Sequence, residues 1–182
     1  AGVLGEQRQL LAHDRLAFSE EQYDLLIMAK TASLLSGACE TGAIRAPAEQ
    51  RQAMREFGLR LGMAFQIVDD LLDYTGDATI TGKPVGADLR EHKVTLPLIY
   101  ALPRLSGRQR REVSALMDTE TPTDAQIAAV VEAVTETGGL DYARERAASL
   151  STGAEAALEV LAPSPAREAL RASIPFVLDR RS

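Results

Sequence analysis

The stretch Phe65-Gln66-Ile67-Val68-Asp69-Asp70-Leu71-Leu72-Asp73-Tyr74 decides the reading of this sequence. Between Leu61 and Gly82 there is no Lys or Arg, yet four aspartates fall inside that window. On a helix Asp69 and Asp73 are one turn apart, and so are Asp70 and Asp73, so the spacing predicts three carboxylates crowding one face. Gln66, a turn earlier, shares that face. Such a helix works against itself. Each like-charge pair costs about 0.2–0.5 kcal/mol, Asp is a poor interior helix former, and acids near a helix C-terminus oppose the dipole. The neighbours Met63, Phe65, Ile67, Val68, Leu71 and Leu72 are apolar, which predicts that the carboxylates do not lie on a freely solvated face. A hard divalent cation resolves the conflict. Mg²⁺ suits it, since it keeps several waters and takes one or two carboxylates together with substrate phosphates.

Working outward, cations are sparse and suggestively placed. Lys30 is the only charge between Leu25 and Cys39. A cation among small apolar residues calls for an anionic partner, because desolvating it alone is expensive. Thr31 follows it. After the aspartates comes the loop Gly82-Lys83-Pro84, then Asp88-Leu89-Arg90-Glu91-His92-Lys93. Lys83 and Lys93 can each meet a phosphate as a point charge.

The rest of the chain reads as helical scaffold. Periodic apolar spacing predicts helices over 4–17, 20–44, 48–74, 107–117, 123–137, 141–161 and 165–179. The apolar segment 94–102 contains Pro97 and predicts a buried, kinked helix. Ser19 with Glu20 and Glu21 marks a capped start. The small residues from Ala29 to Cys39 predict a segment packed near the centre of the fold. Residues 75–91 read as a long functional loop. No strand-like alternation stands out, so the fold class is all-α, one domain over 1–182.

Composition narrows the function. The 182 residues carry 20 Lys+Arg against 26 Asp+Glu, a net charge of −6, which argues against nucleic-acid binding. No apolar run approaches the roughly 18 residues of a membrane span. Cys39 is the only cysteine, which excludes an internal disulfide and a cysteine-based metal site and makes a reducing cytoplasm the default compartment.

Taken in order, the motifs resemble the C-terminal part of a trans-isoprenyl diphosphate synthase of the polyprenyl synthetase family. The resemblance runs from Gly5-Glu6 and Gln9, through Lys30-Thr31, Gly62-Met63-Ala64-Phe65-Gln66 and Asp69-Asp70-Leu71-Leu72-Asp73, to Gly82-Lys83-Pro84, Gly86-Ala87-Asp88-Leu89 and Lys93. The ending from Phe176 to Arg181 is also similar. The resemblance implies an antiparallel helical bundle around a central cavity, assembled as a homodimer. It implies Mg²⁺-dependent condensation of isopentenyl diphosphate with an allylic diphosphate. Asp69, Asp70 and Asp73 would be the metal-side acids and, with Lys30, the catalytic groups. Lys30, Thr31, Gln66, Lys83 and Lys93 would contact the allylic diphosphate.

Two departures stand out. The family's first aspartate-rich motif and its isopentenyl diphosphate-binding residues belong to an N-terminal half absent from this sequence, and the opening Ala1-Gly2-Val3-Leu4 reads as the interior of a longer chain. His92 also stands where the family commonly has Gly before the lysine; a positive φ there would strain His more than Gly. Two other functional classes remain open. One is a non-catalytic synthase-like subunit that regulates a catalytic partner, and the other is a terpene cyclase-like helical domain.

Overall fold

The computed structural model describes residues 15–76 and 85–178, and every regular element in them is helical. The predicted helix over 4–17 falls outside this range except for a 3₁₀ turn, Arg15–Ala17. Ser19 then closes a capping box: its hydroxyl accepts from the Gln22 N–H at 3.2 Å, and Gln22 Oε1 accepts from the Ser19 N–H at 2.9 Å. The helix it opens, α1 (Glu20–Ile27), does not run straight to residue 44. It passes through a five-residue π-helical turn, Met28–Ala32, into α2 (Ser33–Gly42). A π turn bulges the backbone outward, and such bulges are common at functional sites. Here the bulge carries Lys30 and Thr31.

The central element is α3 (Ala48–Thr75), 28 residues long. Phe57, Leu61, Ala64, Ile67, Val68, Leu71 and Tyr74 form its buried stripe at three- and four-residue spacing. It packs against α2 and, most extensively, against α8 (Gly139–Ala157). Two glycines set how closely α3 meets the preceding rod. A Cβ on Gly62 would stand 2.6 Å from the Ala32 Cα, and one on Gly58 would stand 2.5 Å from the Leu35 carbonyl oxygen. Backbone therefore lies on backbone beside the π turn. The small-residue segment is only half used for this purpose. Ala32 and Ser36 are buried against α3, whereas Ser33, Gly37 and Ala38 face outward and Leu34 is 74% exposed.

Inside the predicted loop 75–91 the described residues include a single helical turn, α4 (Ala87–Arg90). The segment with Pro97 forms α5 (Leu96–Ala101) and a 3₁₀ turn, Leu102–Arg104. Pro97 does not kink it. It sits in the first turn, where its missing N–H costs no helical hydrogen bond. Helices α6 (Gly107–Asp118) and α7 (Asp124–Glu136) each begin with a capping box, Ser106 with Gln109 and Thr123 with Gln126. Gly138, at φ 78°, turns the chain between α7 and α8. The bundle closes with α9 (Pro165–Leu178), packed on α3 and α8.

Candidate functional site

Three segments meet in a cavity of about 250 Å³ lined by polar and charged side chains. From α3 come Gln66, Asp69 and Asp70; from α1 and the π turn come Tyr23, Ile27 and Lys30; from α4 and the residues after it come Asp88, Lys93 and Thr95. The volume lies below the roughly 300–1,000 Å³ of sites that enclose a whole small molecule. It suits a compact anionic head group.

The aspartates do not act as one face. Asp69 is exposed at the cavity wall, Asp70 is only 6% exposed, and Asp73 is half-buried outside the cavity lining. Asp73 is set apart from the other two because the turn α4 meets the end of α3 at that residue. The Asp73 carboxylate accepts the Asp88 N–H at 3.1 Å, and its backbone carbonyl accepts the Gly86 N–H at 2.8 Å. Asp73 thus anchors the α4 turn and thereby places Asp88. Burial pushes Asp73 up to about 6, with the Asp88 charge adding to the rise and the Asp88 and Ala87 N–H groups opposing it.

Asp70 is held from two sides. The Tyr23 hydroxyl donates to Oδ2 at 2.6 Å, and Gln66 Nε2 donates to Oδ1 at 2.9 Å. Gln66 is itself oriented, because Thr31 Oγ1 donates to its Oε1 at 2.9 Å. The Asp70 carboxyl is pushed up to about 7: burial is the largest cause, the hydrogen bonds from Tyr23 and Gln66 oppose it, and the charges of Asp88 and Asp69 add to it. Tyr23, buried beside that carboxylate, is raised well above the ordinary tyrosine range and remains a hydroxyl donor. Thr31, expected to touch substrate, lies outside the cavity lining and acts through Gln66.

Lys30 and Lys93 supply the positive charge. Lys30 is exposed on the π turn and lines the cavity. Lys93 pairs with Asp88 at 3.0 Å and with Glu91 at 2.6 Å. Burial pulls its pKa downward, but the bonds to Glu91 and Asp88 outweigh it and hold the ammonium above its ordinary value. The residue before it adopts a left-handed conformation: His92 has φ 57°. This ends α4 in a Schellman motif, with the His92 N–H on the Leu89 carbonyl at 3.0 Å and the Lys93 N–H on the Asp88 carbonyl at 2.8 Å. The His92 Nε2 lies 2.8 Å from the Thr119 carbonyl oxygen, tying the strained residue to the end of α6. Lys83 lies outside the described residues.

Among the described residues no three acidic, His or Cys side chains converge as a closed metal-ligand set. Asp69, Asp70 and Asp88 instead line an open cavity with hard oxygen donors. That fits Mg²⁺, which takes one or two carboxylates and completes its shell with water and phosphate oxygens.

The polyprenyl synthetase pattern matches residues 2–134. The chain belongs to the polyprenyl synthetase family. It is 40% identical over 177 residues to an all-trans-nonaprenyl-diphosphate synthase (geranyl-diphosphate specific) of Rhodobacter capsulatus, covering 97% of this chain and 54% of that protein. It is 35% identical over 178 residues to a short chain isoprenyl diphosphate synthase of Methanothermobacter thermautotrophicus, with the same coverage of 97% and 54%. A crystal structure of a polyprenyl synthase from Caulobacter crescentus, complexed with calcium and isoprenyl diphosphate, superposes with a TM-score of 0.90 at 37% identity, over 99% of this chain and 56% of that one. The chain therefore spans about half the length of the curated relatives it matches.

In this chain, sequence reading missed two site residues. Asp88 adds a carboxylate to the cavity, and its spacing of five residues before Lys93 was the available signal. Tyr23 had no local signal, because its role exists only across the contact with α3.

Proposed function

We propose that the cavity binds the diphosphate of an allylic prenyl donor together with Mg²⁺, and that the protein condenses this donor with isopentenyl diphosphate to make a longer polyprenyl diphosphate. The observation that carries the reading is the meeting of Asp69, Asp70 and Asp88 with Lys30 and Lys93 around one head-group-sized cavity. Either charge set alone would suit a simple ion. Both together suit a polyanion that arrives with a cation.

Asp69 and Asp70, with Asp88 across the cavity, would offer Mg²⁺ one or two carboxylate ligands, and the ion when bound would supply Lewis-acid stabilisation to the departing pyrophosphate. Lys30 and Lys93 place ammonium groups where the leaving group gains charge. Lys93 is held ready by Asp88 and exchanges that partner for a phosphate oxygen when the donor arrives. Tyr23 and Gln66 hold Asp70 in its ionised orientation. Loss of pyrophosphate leaves an allylic cation, the double bond of isopentenyl diphosphate attacks it, and proton loss restores a double bond in the elongated chain.

The family resemblance also supports a cytoplasmic homodimer. No helix among the described residues is long and apolar enough to cross a membrane. Product analysis tests the reading: the full-length gene product is incubated with Mg²⁺, isopentenyl diphosphate and allylic diphosphates of several lengths. Primer elongation by isoprene units with release of pyrophosphate is expected. Absence of elongation with every primer overturns the reading.

A further inference from the structure

Tyr23 lies on α1, outside every motif that carries the family resemblance. Its side chain is 1% exposed, and its hydroxyl reaches 47 residues along the chain to Asp70. The opposite side of the carboxylate is held by Gln66, whose amide has one accepting and one donating end. Thr31 occupies the accepting end, so the donating end is turned to Asp70. Each Asp70 oxygen therefore carries one fixed donor, and about two of the four lone-pair sites of a carboxylate remain for the cavity.

The helix that presents Tyr23 is secured from behind. The Tyr142 hydroxyl donates to the Glu20 carboxylate at 2.8 and 2.9 Å, and Arg146 pairs with Asp24 at 3.0 Å. The Tyr142 ring is stacked on Tyr100 with centroids 4.1 Å apart. Thus the phenol of Tyr23 is held on a braced element rather than on a loop.

The geometry points to Tyr23 as a positioning residue that, with the Thr31–Gln66 pair opposite, clamps the Asp70 carboxylate in the orientation needed to receive a divalent cation and a diphosphate. The inference rests on the cation–diphosphate reading of the cavity. Groups that orient metal-binding carboxylates typically change metal affinity 10–100-fold when removed.

The test is Mn²⁺ binding in the presence of inorganic pyrophosphate, followed by electron paramagnetic resonance on the protein and its variants. Tyr23→Phe is expected to weaken binding about tenfold. Tyr142→Phe, which loosens the same helix without touching Asp70, should bind nearly as the wild type does. In an Asp70→Asn background, Tyr23→Phe should add no further loss, because both changes act on one carboxylate. Wild-type affinity in Tyr23→Phe, an equal loss in Tyr142→Phe, or an undiminished loss in the Asp70→Asn background would each overturn the clamp while leaving the cavity reading intact. No binding by the wild type overturns the cavity reading, and the clamp with it. If Tyr23→Phe does not fold, Thr31→Val takes its place: weakened Mn²⁺ binding supports the clamp, and wild-type affinity refutes it.

Discussion

The Tyr23 hydroxyl donates a 2.6 Å hydrogen bond to Asp70 inside the bundle, so a buried carboxylate depends on a helix far away in sequence. Removing one donor from a buried anion leaves it partly unsatisfied, which costs about 1–3 kcal/mol. Tyr23→Phe should therefore lower unfolding stability by that amount at pH 8, measured by urea denaturation without added metal. The loss should shrink at pH 5.5, where protonated Asp70 needs the donor less.

Contact between α3 and the π turn makes a second prediction. Gly62→Ala improves helix propensity by about 1 kcal/mol. Its Cβ, however, would lie 2.6 Å from the Ala32 Cα, and backbone cannot swing aside as a side chain does. Overpacking of this kind costs about 1–3 kcal/mol. The variant should melt below the wild type, and its pyrophosphate affinity should fall as Lys30 and Thr31 are displaced. An unchanged melting temperature would show that the rods can separate freely.

The raised carboxyls predict an unusual acid response. Asp70 is pushed up to about 7 and Asp73 to about 6, against about 3.9 in the unfolded chain. The folded state thus binds more protons than the unfolded state between those values. The contribution is present in full below the unfolded value and is lost as pH rises through 6 to 7. Metal-free protein should grow more stable as pH falls from 8 to 5.5, and Asp70→Asn should flatten part of that rise. Calorimetry across this range checks it; a wild-type stability that falls over the same interval would contradict it.

His92 tests a balance of strain against tethering. A non-glycine residue in the left-handed region costs on the order of 1–2 kcal/mol, while the bond between Nε2 and the Thr119 carbonyl returns about 0.5–1.5 kcal/mol. His92→Gly should stay within about 1 kcal/mol of the wild type, since it relieves one term and loses the other. His92→Val keeps the strain, adds β-branching and loses the tether, so it should be the least stable of the three by thermal unfolding.

Much of this fold was legible in the sequence because its signals are local. The capping residue Ser19 and the apolar stripe from Phe57 to Tyr74 depend only on neighbours a few residues away. Lys30, Gln66, Asp69, Asp70 and Lys93 were identified by residue type and order, and the structure brings them to one cavity. What escaped is tertiary. The π turn under Lys30 coincides with the close approach of Ala32 to Gly62, and no periodicity encodes it. Asp73 belongs to the motif by spacing, yet α4 settles on it and turns it into an anchor. The positive φ of His92 was foreseen only because Gly is the usual residue there. Asp88 and Tyr23 acquire their roles through partners 15 and 47 residues away.

Thermal unfolding in three conditions shows whether the cavity takes a cation and a diphosphate together: protein alone, with Mg²⁺, and with Mg²⁺ plus an allylic diphosphate. A ligand held by the folded state at a hundred times its dissociation constant adds about 2.7 kcal/mol. A clear further rise in melting temperature is expected when the diphosphate joins Mg²⁺, and its loss in Asp69→Ala. A diphosphate-dependent shift that survives in full in Asp69→Ala would contradict it.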